Sequence, residues 1–223
     1  MSEDTTPSEF KPVFRNLQTL RGKPHSVFFP ITTERKEITM TDNALFDQAI
    51  LFAVTHHAGA VRKTSALPYI VHPLETMQIL YSMGADMPLL TAAVLHDTVE
   101  DTDATLNDIY RKFGNHIGAL VEAHTEDKRL TWMERKQHTI RTLPQASLEV
   151  KMMVLADKVS NLRSIATDYK RLGEVFWNSF NALREKQKWY YSQVHQALGE
   201  LKDNPQTAEV YGEMGRLYSE IFE

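Results

Sequence analysis

Residues 92–102 read AAVLHDTVEDT, and charged side chains interrupt what is otherwise an apolar helical pattern. A helix turns by about 100° per residue, so Ala92, Leu95 and Val99 share one apolar row. Two neighbouring rows hold an imidazole and three carboxylates, which belong to His96, Glu100, Asp97 and Asp101. All four polar side chains are therefore predicted to project close to the face that packs against the core.

Charged groups at such positions need a partner. A buried carboxylate without one destabilises the fold by several kcal/mol. No lysine or arginine occurs between residues 92 and 102. A metal ion is one partner that would satisfy these side chains. The alternative is that they lie on the exposed end of a helix, which suits Glu100 and Asp101 taken alone.

A second helix is predicted over residues 151–166, KMMVLADKVSNLRSIA, and it also carries polar groups among apolar ones. Apolar residues occupy two of its sides, so we expect it to be internal and Asp157 to be buried. Asn161 follows Asp157 by one helical turn. The alternative for Asp157 is an ion pair with a neighbouring lysine or arginine.

A further imidazole occurs in PYIVHP, residues 68–73, where Pro73 is predicted to be the first residue of a helix. A histidine at such a position could equally be a cap or a surface residue. Taken together, two imidazoles and two carboxylates suit a divalent ion such as Mn, Fe, Co or Zn. The four candidate ligands are His72, His96, Asp97 and Asp157.

The composition limits the class of protein. The chain has 223 residues, of which 42% are hydrophobic and 24% charged, and its formal net charge is -4. These values indicate one globular domain, with or without an appendage, and argue against a general surface for nucleic acid or anionic membranes. There is no cysteine, and no apolar run approaches the roughly 20 residues of a membrane span. We therefore predict a cytoplasmic protein without disulfides.

Two regions differ in pattern. Residues 1–40 show no sustained period and are predicted to be an N-terminal extension, partly disordered or not native, with Met40 as the native start. Residues 41–223 are predicted to form helices joined by short loops, which indicates an all-α bundle. Within it, one helix is predicted over residues 88–102 and a long helical stretch over residues 175–201. Gly59, Gly84 and Gly114 are predicted to end helices.

Several longer segments resemble a known family. HHAGAVRK, PYIVHPLET, AAVLHDTVEDTDATLNDIYRKFG, LVEAHTEDK and VLADKVSNLR are similar to the hydrolase domain of RelA/SpoT enzymes, which are HD-domain metal phosphohydrolases. The similarity is greatest to stand-alone small alarmone hydrolases of the metazoan SpoT type. It covers residues 43–169 well and the C-terminal helices more loosely.

This resemblance implies an all-α HD-domain bundle with one Mn²⁺ in a central cleft, and a small nucleotide as the partner. The metal ligands would be the four candidates given above. The catalytic acidic pair would be Glu100 and Asp101, with Glu100 favoured as the general base. Arg62 and Lys63 would lie beside the guanine ring, and Asn161 would contact the substrate. The implied reaction converts (p)ppGpp to GDP or GTP plus pyrophosphate, without synthesis.

Alternatives stay open at this point. TSALPY, residues 64–69, differs from the SGEPY-like loop of relatives, so the same fold could act on (p)ppApp or another phosphorylated nucleotide. A nucleotide-sensing module without turnover is a further alternative, and the oligomeric state is open. The aromatic residues of the C-terminal stretch are expected in the core or in subunit contacts. No ligand role is predicted for the remaining histidines of this region, His56, His57, His116, His124, His138 and His195, although His57 is the best candidate to support a ligand.

Overall fold

The computed structural model describes residues 40–179 and 183–223, in which nine α-helices and no β-strand occur. The helices are α1 (Met40–His56), α2 (Val71–Ser82), α3 (Met87–Leu95), α4 (Thr98–Asp101), α5 (Leu106–His124), α6 (Trp132–Thr142), α7 (Leu148–Leu172), α8 (Arg184–Ala197) and α9 (Ala208–Phe222). Short 3₁₀ helices occupy Leu143–Gln145, Gly173–Ser179 and Gly199–Asp203. The prediction of an all-α bundle is confirmed. The predicted extension lies almost entirely outside the described residues and stays a prediction.

Helix α7 is the central element of the described fold. It contacts α2, α3, α5 and α9, and its buried residues lie on more than one side. The Ser147 side chain caps its start by accepting a hydrogen bond from the Val150 amide at 3.3 Å. Gly173, with φ of 62°, ends it. The predictions that this helix is internal and that Asp157 is buried are both confirmed.

Helix α3 lies in the core from Leu89 to its end. Every residue from Leu89 to Leu95 is buried, against α1, α2 and α5. Asp86 caps its start, since its carboxylate accepts a hydrogen bond from the Leu89 amide at 3.2 Å. The last residues of the helix and the His96 imidazole that follows them therefore lie in the interior.

The prediction of one helix over residues 88–102 is wrong. Helix α3 ends at Leu95, and α4 begins at Thr98. His96 Nδ1 lies 2.7 Å from the Ala93 carbonyl oxygen, and the Thr98 hydroxyl donates to the Leu95 carbonyl at 2.6 Å. Side chains thus bond to carbonyls at the end of α3 and offer its backbone an alternative to continued helix.

The helix limits near Pro73 and the glycines are partly as predicted. Pro73 is the third residue of α2 and not the first, so His72 lies inside the first turn, where a proline is still tolerated. Gly84 ends α2 with φ of 76°. Gly114, with φ of 84° and ψ of 174°, is non-helical and divides α5 at a kink, so the first part of the helix ends there as predicted. Gly59, with φ of 81°, follows α1 closely.

The prediction of one long helical stretch over residues 175–201 is wrong in its continuity, although α8 lies within that range. A 3₁₀ helix occupies Gly173–Ser179, and α8 begins at Arg184. Helix α9 was not predicted, yet it buries Val210, Met214 and Ile221 and contacts α7 and α8. Trp177, Tyr190 and Tyr191 are buried, as expected for core residues, and Trp189 is partly buried. No helix in the described ranges combines the length and apolar character that crossing a bilayer requires.

The kink in α5 gives a test of this backbone. Gly114 adopts a conformation that residues with a Cβ strongly disfavour, although no atom lies within 4 Å of where that Cβ would be. Gly114→Ala should therefore lower the free energy of unfolding by about 1–3 kcal/mol through backbone strain alone. Denaturant unfolding followed by circular dichroism measures this.

Gly212 inside α9 provides the matched control. Its added Cβ would meet only the end of the Arg216 side chain at 3.4 Å, and its φ is ordinary. Gly212→Ala should leave stability unchanged or raise it by up to about 1 kcal/mol. Equal losses in the two variants would contradict the kinked conformation.

Candidate metal and catalytic site

Four side chains predicted as a ligand set meet where α2, α7 and the end of α3 converge. His72 Nε2 lies 3.4 Å from Asp97 Oδ2 and 3.2 Å from Asp157 Oδ1. His96 Nε2 lies 3.2 Å from Asp97 Oδ2 and 4.0 Å from Asp157 Oδ1. His72, His96 and Asp157 are all buried, with Asp157 only 3% exposed. The cluster therefore places two carboxylates in an apolar interior.

Hydrogen bonds behind the two imidazoles orient both rings. His96 Nδ1 faces a carbonyl oxygen, so it must carry a proton to bond there. His72 Nδ1 lies 2.8 Å from Ser160 Oγ. The Ser160 hydroxyl donates its own proton to Glu75 at 2.8 Å, so it accepts from His72. Each neutral ring therefore turns a lone pair on Nε2 toward the carboxylates.

Lone pairs that face carboxylate oxygens at 3.2–3.4 Å repel each other unless a positive charge lies between them. His96 Nε2 is buried and has no hydrogen-bond partner among the described residues. The charge can be a proton or a metal ion. Outer hydrogen bonds on Nδ1 with Nε2 left free are typical of histidines that bind metals. The donor set of two nitrogens and two carboxylates fits a divalent ion.

The pKa values of these groups reflect the same crowding. Burial by itself would lower the pKa of His96, but Asp97, Asp157 and the Ala93 carbonyl together raise it to about 9. Burial would raise the pKa of Asp97, yet His96 and His72 hold it below the usual range. Burial opposes ionisation of Asp157 as well, but Lys158, His124 and His72 keep its pKa well below normal. Both carboxylates are thus ionised and available to a cation.

Asp157 also forms the ion pair that was its alternative interpretation. Lys158 Nζ lies 2.6 Å from Asp157 Oδ2. The other oxygen, Oδ1, accepts a hydrogen bond from Asn161 Nδ2 at 2.6 Å and faces His72. The two interpretations are therefore compatible, because the ion pair engages Oδ2, whereas His72 and His96 face Oδ1.

The acidic pair lies on α4, next to the cluster. Glu100 is half-buried, and its pKa is raised by burial and by the nearby carboxylates of Glu126, Asp97 and Asp101. Asp101 Oδ1 accepts from Lys128 Nζ at 2.7 Å. Lys128 Nζ is also 3.8 Å from Glu100 Oε1, and Arg135 approaches the same oxygen at 3.8 Å. Two cations therefore flank Glu100 without a close contact to it.

Tyr69 links the acidic pair to the cluster, a role that no sequence pattern predicted. Its hydroxyl lies 2.7 Å from Asp97 Oδ2 and 2.9 Å from Asp101 Oδ2. Burial and these two carboxylates raise the pKa of Tyr69, so the hydroxyl stays protonated and acts as a donor. The sequence feature that could have identified Tyr69 is its place in PYIVHP, three residues before His72.

Of the predicted base-binding residues, Arg62 lines a cavity beside the cluster. Arg62 donates to Asn161 Oδ1 at 3.1 Å, and Asn161 donates to Asp157, so a chain of hydrogen bonds runs from the loop to the cluster. Lys63 is exposed in the same loop. The cavity has a volume of about 200 Å³ and is lined by Arg62, His72 and Asp168 among others. The Thr64 hydroxyl donates to Asp168, and Arg171 donates to the Thr64 carbonyl at 2.9 Å, so two bonds hold the loop against α7.

His124, for which no ligand role was predicted, lies against the cluster. Its side chain is 8% exposed, and its Nε2 lies 3.3 Å from Asp157 Oδ2. Its ring centroid is 4.9 Å from that of His96. Burial lowers its pKa, which favours the neutral ring. Sequence spacing could not reveal this position, because it depends on how α5 packs against α3 and α7.

His57, the predicted supporting histidine, is buried near the same cluster. Its ring centroid lies 4.9 Å from that of Tyr69, and burial lowers its pKa. His56 pairs with Asp103 at 2.9 Å, and His116 pairs with Glu149 at 3.0 Å, both away from the cluster. Among the described histidines outside the predicted ligands, His124 and His57 are thus the ones that approach the site.

Comparisons with known proteins agree with this geometry. Residues 49–185 match the HD-domain family. A guanosine-3′,5′-bis(diphosphate) 3′-pyrophosphohydrolase of Xenopus tropicalis, MESH1, is 41% identical over 141 residues, which are 62% of this chain and 76% of that protein. The human protein of the same name is 42% identical over 121 residues, covering 53% of this chain and 68% of its own length.

A solved structure is similar over a longer range. It belongs to a metazoan orthologue of SpoT that hydrolyses ppGpp and plays a role in starvation responses. The superposition has a TM-score of 0.66 at 28% sequence identity and covers 79% of this chain and 94% of that chain. The similarity therefore extends from the ligand cluster to most of the helical bundle.

Protonation of His96 predicts how metal binding depends on pH. With a pKa of about 9 in the metal-free protein, His96 is protonated at neutral pH and must lose its proton to bind an ion. Binding should therefore release about one proton per ion near pH 7.5, and affinity should fall about tenfold for each unit of pH below 9. Calorimetry in buffers of different ionisation enthalpy measures both quantities.

The exposed His138 supplies the control, since His138→Ala should leave proton release and affinity unchanged. A metal affinity that does not vary between about pH 7 and pH 9 would contradict the account of His96.

Proposed function

Because this chain belongs to the HD-domain family, we propose that it hydrolyses (p)ppGpp at the 3′-pyrophosphate. Water attacks the phosphorus attached to the ribose 3′ oxygen, the bond to that oxygen breaks, and GDP or GTP and pyrophosphate result. The observation that carries this proposal is the convergence of His72, His96, Asp97 and Asp157 next to a second pair of carboxylates. The name and activity of the relatives point the same way.

A divalent ion, for which we propose Mn²⁺, would be held by those four side chains. When bound, such an ion offsets the charge of the phosphate oxygens and lowers the pKa of the attacking water. The orientation of both Nε2 lone pairs toward ionised carboxylates supports this choice of ligands. Mixed imidazole and carboxylate donors are compatible with Mn²⁺ and equally with other ions of the first transition series.

Glu100 is our candidate for the general base. A base works best when its pKa lies near the operating pH, and burial together with neighbouring carboxylates raises that of Glu100 toward this range. Asp101 is held by Lys128 and lies against Tyr69, so it suits a positioning role better. Lys128 and Arg135 provide positive charge on the side of the cluster where the substrate phosphates would lie.

The base of the nucleotide would lie toward Arg62. The guanidinium is already oriented by Asn161, and it lies 5.8 Å from the Tyr69 ring centroid. A planar guanidinium can stack on a purine or donate to its acceptors. The adjacent cavity, about 200 Å³ in volume, has room for a part of a nucleotide such as its base. Lys63 is exposed beside it and would act from the rim.

Replacement of the acidic pair tests these roles. Glu100→Gln should lower kcat by about 10²–10⁴-fold, because general-base catalysis is lost, while the affinity for Mn²⁺ stays the same. In the unmodified protein at saturating metal, kcat should fall as pH drops through the raised pKa of Glu100, since the protonated acid cannot accept a proton. Steady-state kinetics with a pH profile measures this.

Asp103→Asn is the matched control, because Asp103 follows Asp101 by two residues and its side chain is 90% exposed. It should leave kcat close to that of the unmodified protein. If Asp101→Asn removes the acidic limb of the profile and Glu100→Gln does not, the base is Asp101.

An adenine substrate is the second candidate, and the loop TSALPY at residues 64–69, which differs from the SGEPY-like loop of relatives, is the reason to consider it. Asp168 faces the same cavity as Arg62, so the pocket offers hydrogen-bond acceptors as well as donors. An exocyclic amino group occurs on both purines, and a carboxylate can accept from either. The loop that carries Arg62 is also tied to Asp168 by the Thr64 hydroxyl.

A direct comparison of substrates separates the two candidates. We expect kcat/KM for ppGpp to exceed that for ppApp. Arg62→Ala should lower kcat/KM for ppGpp, chiefly by raising KM, and the change should correspond to a loss of about 1–3 kcal/mol of transition-state stabilisation. A larger kcat/KM for ppApp would assign the chain to adenine nucleotides with the same metal site. Binding of either nucleotide without turnover would favour the sensing module.

A further inference from the structure

We propose that His124 is a third imidazole ligand of the metal, in addition to the four side chains identified from the sequence. This inference rests on the metal-dependent function proposed above. His124 ends α5, and its ligand atom groups with those of His96 and Asp97, all within 4.8 Å of one another. A second group of the same kind contains His72, His96 and Asp157. The two groups share His96, so His124 adjoins the proposed metal site through a residue common to both.

The position of the His124 side chain suits ligation. It is 8% exposed and lies on the Oδ2 side of Asp157, opposite the oxygen that faces His72. It therefore approaches the cluster from a helix that provides none of the other four donors. An ion among these groups would have imidazoles from α2, from the residue after α3 and from α5, and carboxylates from the α3–α4 turn and α7.

A hydrogen bond to Asp157 is a weaker account of the same contact. The distance of 3.3 Å from His124 Nε2 to Asp157 Oδ2 is long for a bond to a carboxylate, which is typically about 2.7–2.9 Å. Lys158 already donates to that oxygen at 2.6 Å. The ion pair leaves Asp157 Oδ2 with little need of a second donor, whereas the Nε2 lone pair of a neutral His124 is an additional metal donor.

A third nitrogen ligand would change which metal the site prefers. Imidazole binds Co²⁺ and Zn²⁺ more strongly than it binds Mn²⁺, whereas carboxylates discriminate less. Loss of His124 should therefore weaken the binding of Co²⁺ and Zn²⁺ more than that of Mn²⁺. This predicted difference does not depend on catalysis and can be measured with the metals alone.

The test counts the coordinated histidines in the full chain loaded with Co²⁺. Each imidazole bound to Co²⁺ gives one strongly shifted, solvent-exchangeable N–H resonance in the proton NMR spectrum. We expect three such resonances in the unmodified protein and two in His124→Val. The control is His116→Val, which removes an exposed histidine from the same helix and should retain three.

Competition titrations with the metals alone accompany the count. His124→Val should weaken the binding of Co²⁺ and Zn²⁺ at least about tenfold more than that of Mn²⁺. His124→Asn can still donate a hydrogen bond to Asp157, and it should show the same two resonances and the same loss. Thermal unfolding of the metal-free variants verifies that each is folded.

Three results would overturn the proposal. Two resonances in all variants, or restoration of Co²⁺ affinity by His124→Asn, would make His124 a hydrogen-bonding neighbour of Asp157; the proposed hydrolysis would stand. Failure of the unmodified protein to bind Co²⁺, Zn²⁺ or Mn²⁺ would overturn both the His124 ligand and the metal-dependent function.

Discussion

His72 and His96 turn Nε2 toward the ionised carboxylates of Asp97 and Asp157 in the helical bundle, and the Nε2 lone pairs of neutral rings would repel those carboxylates. Ser160 and the Ala93 carbonyl hold the opposite nitrogens of these rings, so the rings cannot relieve the repulsion by reversing their protonated nitrogens without losing those bonds. A positive charge must therefore lie among the four groups. Without a metal ion this charge is a proton on His96, because Asp97, Asp157 and the Ala93 carbonyl raise the pKa of His96 to about 9. A divalent ion would replace that proton.

The surrounding fold follows from this requirement. Helix α3 is buried from Leu89 onward and ends at Leu95, so the turn that follows can direct His96 and Asp97 into one cluster. Helix α7 is internal and supplies Asp157 from its middle. The short helix α4 then places Glu100 and Asp101 beside the cluster, and the Tyr69 hydroxyl joins both sets of carboxylates. Positioning and chemistry thus depend on a break in one helix and burial of another.

The sequence allowed much of this to be predicted, for physical reasons. The helical period exposed the anomaly of carboxylates among apolar residues, and the two-sided apolar pattern of α7 predicted the burial of Asp157. Periodicity could not predict the break at His96, because it depends on side chains that bond to the last carbonyls of α3. Tyr69 and His124 were missed for a related reason, since their approach to the cluster depends on the packing of separate elements.

Residues near the substrate were harder to assign than the ligand cluster. A metal site requires particular donor atoms, whereas a nucleotide base can be bound by many combinations of polar groups. The loop that carries Arg62 is held by Asp168 and Arg171, contacts that only the tertiary structure reveals. For this reason the reaction type follows more directly from the sequence than the identity of the purine does.

The most direct test of the central claim is metal dependence of the reaction. The full chain is stripped with a chelator, Mn²⁺ is added back in steps, and pyrophosphate release from ppGpp is followed, with Asp97→Ala in parallel. We predict that release requires Mn²⁺, saturates with one ion per chain and is abolished in Asp97→Ala. Release that persists without any divalent ion, or that Asp97→Ala retains, would contradict the role of the cluster.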